Sequence, residues 1–334
     1  MFIVDTYGLA VVFCILTMLG WGSWANTLKM TPKKWTFPLF YWDYSLGLII
    51  TTLILGFSLG STGEAGRSFL TDMGQADSAA MGAAFLGGVI FNLANLLVVA
   101  AIAIAGLAVA FPIAIGLALV IGVVVNYISQ PLGNPTLLFM GIGLVAAAII
   151  VDALAYKRLP QENKGEQSKG ILISIVAGVL MGFFYRFVAA SMTENYANPE
   201  AGLLTPYSAM FIFALGVFFS NFIFNTYFMY RPVTDEAVTY KDYFRRGSPR
   251  LHLIGVLGGI IWCVAMELNL MAAEKAGFAI SYGLGQGATM VSAAWGVFVW
   301  KEFAQAPKGT NKLLAAMFIL FIVGLSLIVI ARLN

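Results

Sequence analysis

Asp43, Arg186 and Glu267 are ionisable residues set deep in long apolar runs of this sequence. A charge at the centre of a bilayer costs about 2.5–3.5 kcal/mol on insertion scales, so each is a candidate for chemistry: proton uptake, charge pairing or gating. At 1.5 Å per helical residue, Arg186 lies roughly 9 Å and Glu267 roughly 6 Å from the middle of their runs, toward the same side. The two depths lie within an arginine's reach, so the pair is expected to meet, as an ion pair or around a bound solute. Asp43 lies roughly 7 Å toward the other side, among Tyr41, Trp42 and Tyr44. It reads as a proton carrier, or as a cap opposite Lys29 or Lys33. Asp152, near the end of its run, reads as interfacial.

Uncharged groups add a second constellation. Asn92 and Asn95 are three apart and share a helix face. Tyr282, Gln286 and Thr289 recur at i, i+4 and i+7, a polar stripe on one helix. Amides both donate and accept, which suits solute hydroxyls or a urea-like carbonyl. Trp24, Trp262 and Trp295 offer flat faces for a sugar or heterocycle. For all of these the competing reading is helix-to-helix bonding and packing, which membrane bundles use often.

These residues need elements to hold them. The 334-residue chain is 60% hydrophobic and 10% charged, with mean hydropathy +0.86. Soluble domains carry about 25% charged residues, so the bilayer is the solvent here. Ten runs can cross it as helices: 7–28, 37–60, 80–103, 106–128, 135–156, 170–191, 207–230, 251–275, 277–300 and 312–330. The N-terminus has an acid and no basic segment, so the first run reads as a span and not a cleaved signal. Cys14 and Cys263 fall in apolar runs and read as small buried hydrophobes.

Lysine and arginine orient the spans. One set of loops holds Lys29, Lys33, Lys34, Lys157, Arg158, Lys164, Lys169, Arg231, Lys241, Arg245, Arg246, Arg250, Lys301, Lys308 and Lys312. The other holds Arg67, Lys275 and Arg332. The cell (inner) membrane is expected, with both termini outside and the 157–169 connection cytoplasmic.

The sequence also repeats at an offset of 171. Residues 87–116, GGVIFNLANLLVVAAIAIAGLAVAFPIAIG, align with 258–287, GGIIWCVAMELNLMAAEKAGFAISYGLGQG, with ten of thirty positions identical. Five spans separate the copies, so the second lies upside down. The expected fold is an all-α integral membrane protein of ten transmembrane helices in a 5+5 inverted repeat. Residues 1–156 form one half, 157–169 the linker and 170–334 the second half. Inverted repeats mark secondary transporters, with the solute site at the repeat interface. Spans five and ten lack polar stripes and read as peripheral, or as a homodimer surface.

Several stretches resemble a known family. MFIVDTYGLAVVF, LGWGSWAN, FYWDYSLG and the long block GGVIFNLANLLVVAAIAIAGLAVAFPIAIGLALVIGVVVNY are similar to the ureide permeases of plants. SYGLGQGATMVSAAWGVFVWKEF also resembles the bacterial glucose/ribose uptake permeases. Both belong to the drug/metabolite transporter superfamily. The resemblance implies ten helices, uptake of a small polar organic solute and, usually, proton coupling. Plant ureide permeases carry a longer cytosolic loop with a phosphate-loop-like stretch, whereas 157–169 has no GxxxxGK[ST]. That departure and the segment before Glu302 tilt the expected solute to a pentose or hexose. Ureide or nucleobase-like solutes, and export of drugs or metabolites, are the alternatives, with a membrane receptor as the non-transport reading. An enzyme is not expected. The one histidine, His252, reads as structural at a loop–helix boundary, and no metal-spaced cluster, cofactor or nucleic-acid partner is implied.

Overall fold

The computed structural model describes residues 1–159, 167–233 and 236–333. Most of the expected 157–169 linker, Lys164 included, lies outside the described residues, as does Asn334. The described chain is helical, with one isolated bridge between Met192 and Leu204. In order the helices are α1 (Tyr7–Ser23), α2 (Asn26–Lys29), α3 (Phe37–Phe57), α4 (Phe69–Gln75), α5 (Ser78–Ala105), α6 (Leu107–Ser129), α7 (Pro135–Tyr156) and α8 (Gln167–Ser191). Then come α9 (Pro206–Asn221), α10 (Phe224–Tyr230), α11 (Tyr240–Arg246), α12 (Pro249–Ala276), α13 (Phe278–Gly285), α14 (Ala288–Ala294), a π-helical turn Trp295–Val299, and α15 (Thr310–Ala331).

Helix starts are written locally. Asn134 accepts from the Leu137 N–H, and Ser248 from the Leu251 N–H. Pro38, Pro135, Pro206 and Pro249 occupy the first turn of their helices, where a missing N–H costs nothing. Gly106 separates α5 from α6, and Gly277 separates α12 from α13. Their torsions are φ 81°, ψ 157° and φ 87°, ψ 148°. Positive φ of this kind is open to glycine and strained for other residues.

Among the described residues, nine helical stretches are long and apolar enough to cross a membrane. They are Tyr7–Lys29, Phe37–Phe57, Ser78–Ala105, Leu107–Ser129, Pro135–Tyr156, Gln167–Ser191, Pro206–Tyr230, Pro249–Ala276 and Thr310–Ala331. The chain is a multi-pass membrane protein. The run 277–300, expected as one continuous span, is instead broken. α13 ends at Gly285, α14 starts at Ala288, and the π turn follows. The sequence Gly285-Gln286-Gly287 explains the break, because glycine is a poor helix former. In a bilayer such irregular backbone survives where protein or a cavity covers it.

Packing is close because glycines let backbones touch. α5 lies against α8 and α9, while α12 lies against α1 and α3. A Cβ on Gly88 would collide with the carbonyl oxygen of Phe213, and one on Gly259 with that of Tyr44. α7 and α15 meet at Gly141 and Gly324: a Cβ on either would stand 2.7 or 2.8 Å from the other's carbonyl oxygen. The short helices α4 and α11 sit at opposite ends of the bundle, each seven residues long.

Candidate functional site

A cavity of about 430 Å³ lies among α1, α5, α6, α7, α8, α12 and α14. It reaches the end of the bundle that carries Lys29, Trp300 and Glu302, called the basic end below. Its walls are mostly apolar, with aromatic rings clustered on one part of them. Trp262 stacks on Trp21 at 6.0 Å and 16°, and Phe91 lies 4.5 Å from Trp262. Trp24 leans on Tyr44 at 4.9 Å.

Few polar groups face this space, and several lack a protein partner among the described residues. Asn95 donates through Nδ2 to the Tyr41 hydroxyl at 3.1 Å, so its carbonyl oxygen remains as a free acceptor. Gln286 sits in the break between α13 and α14 and lines the cavity with its amide uncommitted. The Trp21 Nε1 donor is unpaired as well, but it is enclosed within the wall and does not open on the cavity. Thr289 and Ser292 line the cavity too, but their hydroxyls donate to the Gln286 and Gly22 carbonyls. The Asn95 and Gln286 groups can accept from, and donate to, a planar amide-like solute between flat rings.

The mouth at the basic end is held by polar contacts. Lys29 Nζ is 2.7 Å from Glu302 Oε1, and the Tyr156 hydroxyl donates to Glu302 Oε2 at 2.9 Å. Lys29 lies over the Trp300 ring at 5.1 Å, and Trp300 Nε1 donates to Asn26 Oδ1 at 2.6 Å. Asp152, expected at the interface, is buried on the cavity wall with Oδ1 unpaired. Sequence reasoning missed this mouth. The available signal was a lysine and a glutamate closing two spans whose ends share the basic side.

The residues singled out from sequence divide accordingly. Trp24, Asn95, Trp262, Gln286 and Thr289 line the cavity. Asn92 does not: its Nδ2 donates to the Val217 carbonyl and the Ser220 hydroxyl, joining α5 to α9. Tyr282 is buried and donates to the Ala118 and Met181 carbonyls, joining α13 to α6 and α8. Trp295 donates to Ser23 Oγ at 2.8 Å, at the seam of α1 with α14.

The expected meeting of Arg186 and Glu267 is not formed. Glu267 is 1% exposed, and neither carboxylate oxygen has a partner among the described residues. Arg186 lines a separate cavity at the other end. Depth along the membrane normal had agreed, but depth says nothing of direction around a helix. Asp43 does not cap toward Lys29 or Lys33 either, since Lys29 is taken by Glu302. Instead Asp43 accepts from the Tyr243 hydroxyl and lies 2.9 Å from Nδ1 of His252. His252 therefore does more than mark a helix start. Trp35 covers the cluster, 5.3 Å from His252 edge-on and 5.8 Å from Tyr243. Burial, then the bond to Asp43, pushes the Tyr243 hydroxyl up in pKa.

The opposite end is closed by a different latch. Arg67 Nε is 2.8 Å from Asp72 Oδ1, and its guanidinium donates to the Pro199, Glu200 and Leu203 carbonyls. Asp72 Oδ2 accepts from the Thr205 N–H and hydroxyl. α4 is thereby tied to the cap of α9.

Comparison with known proteins agrees with this architecture. A solved crystal structure superposes with a TM-score of 0.61 at 17% identity, over 98% of this chain and 99% of that one, which shows the fold. Ureide permease 1 of Arabidopsis thaliana is 22% identical, over 98% of this chain and 98% of its own. Ureide permease 4 of the same plant is 23% identical with the same coverage. Probable ureide permease A3 of Vigna unguiculata is 21% identical over 92% of this chain and 99% of its own. The sequence model of the ureide permease family matches residues 40–169 and 153–331. With a multi-pass bundle around a solute-sized cavity, these matches make this chain a membrane transporter for small solutes, and it belongs to the ureide permease family.

Proposed function

We propose that the protein carries a small neutral solute with an acylurea-like edge across the cell membrane by alternating access. The observation that carries this reading is the pair of uncommitted polar groups, the Gln286 amide and Asn95 Oδ1, on the wall of the cavity among aromatic rings. A ureide is planar and alternates N–H donors with carbonyl acceptors, which is what that pair complements. The relatives' name points the same way. A monosaccharide is the second reading, favoured by the partly exposed ring of Trp24 on the cavity wall. It is the weaker fit, because each ring hydroxyl needs a partner and the walls are mostly apolar.

Counting the broken segment 278–299 as a crossing gives ten, five in each half. Support for an inverted repeat comes from the matched torsions of Gly106 and Gly277 and the matched contacts of Gly88 and Gly259. The basic end is then cytoplasmic by the positive-inside rule, both termini are outside, and the cavity described is the inward-facing one. Glu267 is the proposed proton carrier, a carboxyl enclosed in the second half without a partner among the described residues. Half-helix breaks beside a binding cavity are a recurring transporter device.

Thermal shift with hydantoin (a cyclic ureide), uracil, ribose and glucose, followed by counterflow in proteoliposomes, tests the reading. Hydantoin is expected to stabilise the protein and exchange across the membrane. Stabilisation and exchange by ribose or glucose without hydantoin would hand the site to the sugar reading. Binding without counterflow would make the protein a receptor.

A further inference from the structure

We propose that the second cavity, of about 260 Å³ at the end opposite the basic one, is an access site that binds the planar acceptor edge of a solute, a carboxylate or urea carbonyl, on Arg186. The inference rests on the transport reading above and adds a second site to it.

Arg186 is partly buried near the end of α8, and no hydrogen bond or ion pair engages it among the described residues. Glu194 and Glu200 line the same cavity, yet neither pairs with it. A guanidinium left free beside two carboxylates keeps its five-donor fork available, and that fork matches a planar pair of acceptor oxygens. Gln130 completes the wall. Its Oε1 accepts from the Phe278 N–H, so the NH2 donors remain for a ligand. The two rim glutamates disfavour multiply charged anions and leave neutral or singly charged edges.

The position of this cavity gives it a role. Phe278 lines it, and Phe184 lines the central cavity. Between them stand Tyr185 and Tyr282, with ring centroids 6.3 Å from Tyr185 to Phe278, 5.0 Å from Tyr185 to Tyr282 and 6.4 Å from Tyr282 to Phe184. A thin layer of rings thus separates the two spaces. The layer is polar inside: the Tyr185 hydroxyl donates to Asn269 Oδ1 at 2.7 Å, and Asn269 Nδ2 donates to the Ser281 carbonyl at 2.8 Å. A solute held on Arg186 has one such partition to cross.

The test is equilibrium binding to the full chain in nanodiscs, using hydantoin-5-acetate and neutral hydantoin as probes. Arg186→Gln is expected to weaken hydantoin-5-acetate by at least about tenfold, the loss of one bidentate charged contact. Arg186→Lys keeps the charge without the fork and is expected to fall between. Gln286→Ala is expected to weaken hydantoin in the central cavity and to leave carboxylate binding on Arg186 in place. If hydantoin also depends on Arg186, the edge includes the urea carbonyl; if only the acetate does, it is the carboxylate. Parental affinity for both probes in Arg186→Gln and Arg186→Lys overturns the access site. So does loss of all binding in Gln286→Ala at parental melting temperature, which leaves the transport reading standing. Failure of the parent to bind either probe overturns both.

Discussion

Asp72 and Tyr243 stand 171 residues apart, each the fourth residue of a seven-residue helix, and each hydrogen-bonds the start of a span from the other half of the chain. Asp72 holds Thr205 at the cap of α9, and Tyr243 holds Asp43 in the second turn of α3. The two latches differ in strength. Asp72 is fully buried and bound to a permanently charged arginine, while Tyr243 gives Asp43 one neutral hydroxyl beside a partly exposed His252.

That difference predicts unequal costs. Asp72→Ala strands the Arg67 guanidinium and is expected to lower stability by about 3 kcal/mol, the range for breaking a buried pair. Tyr243→Phe removes one hydroxyl and should cost about 1 kcal/mol. Melting curves in one detergent would compare them, and equal losses would contradict the ranking.

The central cavity predicts a separation of affinity from stability. Gln286→Ala is expected to raise KM for the transported solute about tenfold, since its amide has no protein partner to lose. Its melting temperature should stay near the parent's. A fall in stability with unchanged KM would make Gln286 a structural amide.

Asn92→Ala should behave in the opposite way. Removing its two donations to α9 is expected to cost about 1–3 kcal/mol of stability, because buried acceptors on Val217 and Ser220 lose their donor. KM should not change, and a KM effect without destabilisation would return Asn92 to the solute site.

This contrast marks what the sequence makes legible. The spans were readable because hydropathy is a local property. Asn92 and Asn95 were readable as sharing a face. Three residues still rotate a helix by about 60°, enough to place Asn95 on the cavity and Asn92 against α9. The meeting of Asp43 with His252 spans 209 positions and depends on how α3 and α12 pack, which no local pattern encodes. Arg186 and Glu267 matched in depth and diverged in azimuth. The break at Gln286 was written in its flanking glycines, but polar spacing across it still imitates one continuous helix.

Glu267→Gln is expected to abolish solute-driven proton movement while solute counterflow continues. Counterflow needs no net proton transfer, so it separates coupling from folding. Proton flux at the parental rate in this variant would exclude Glu267 as the carrier.

The α11 cap gives a pH dependence. The Thr239 hydroxyl and N–H donating to Asp242, then Arg246 nearby, hold its carboxyl below the ordinary range. A depressed folded-state value stabilises above the unfolded value, and that contribution is lost as pH falls through the folded one. Amide protection over 239–246, measured relative to the intrinsic exchange rate at each pH, should therefore be high at neutral pH and fall in acid below the usual carboxylate range. Asp242→Asn should be less protected at neutral pH and lack that fall.

Gly141 and Gly324 have a mechanical consequence. Two helices whose backbones touch at small residues resist separation, and Ile328 against Gly141 and Val145 against Gly324 lock the groove around that point. α7 comes from the first half of the chain and α15 from the second. Their line of contact therefore joins an early and a late segment of the sequence at a point where any residue larger than glycine would force the two backbones apart.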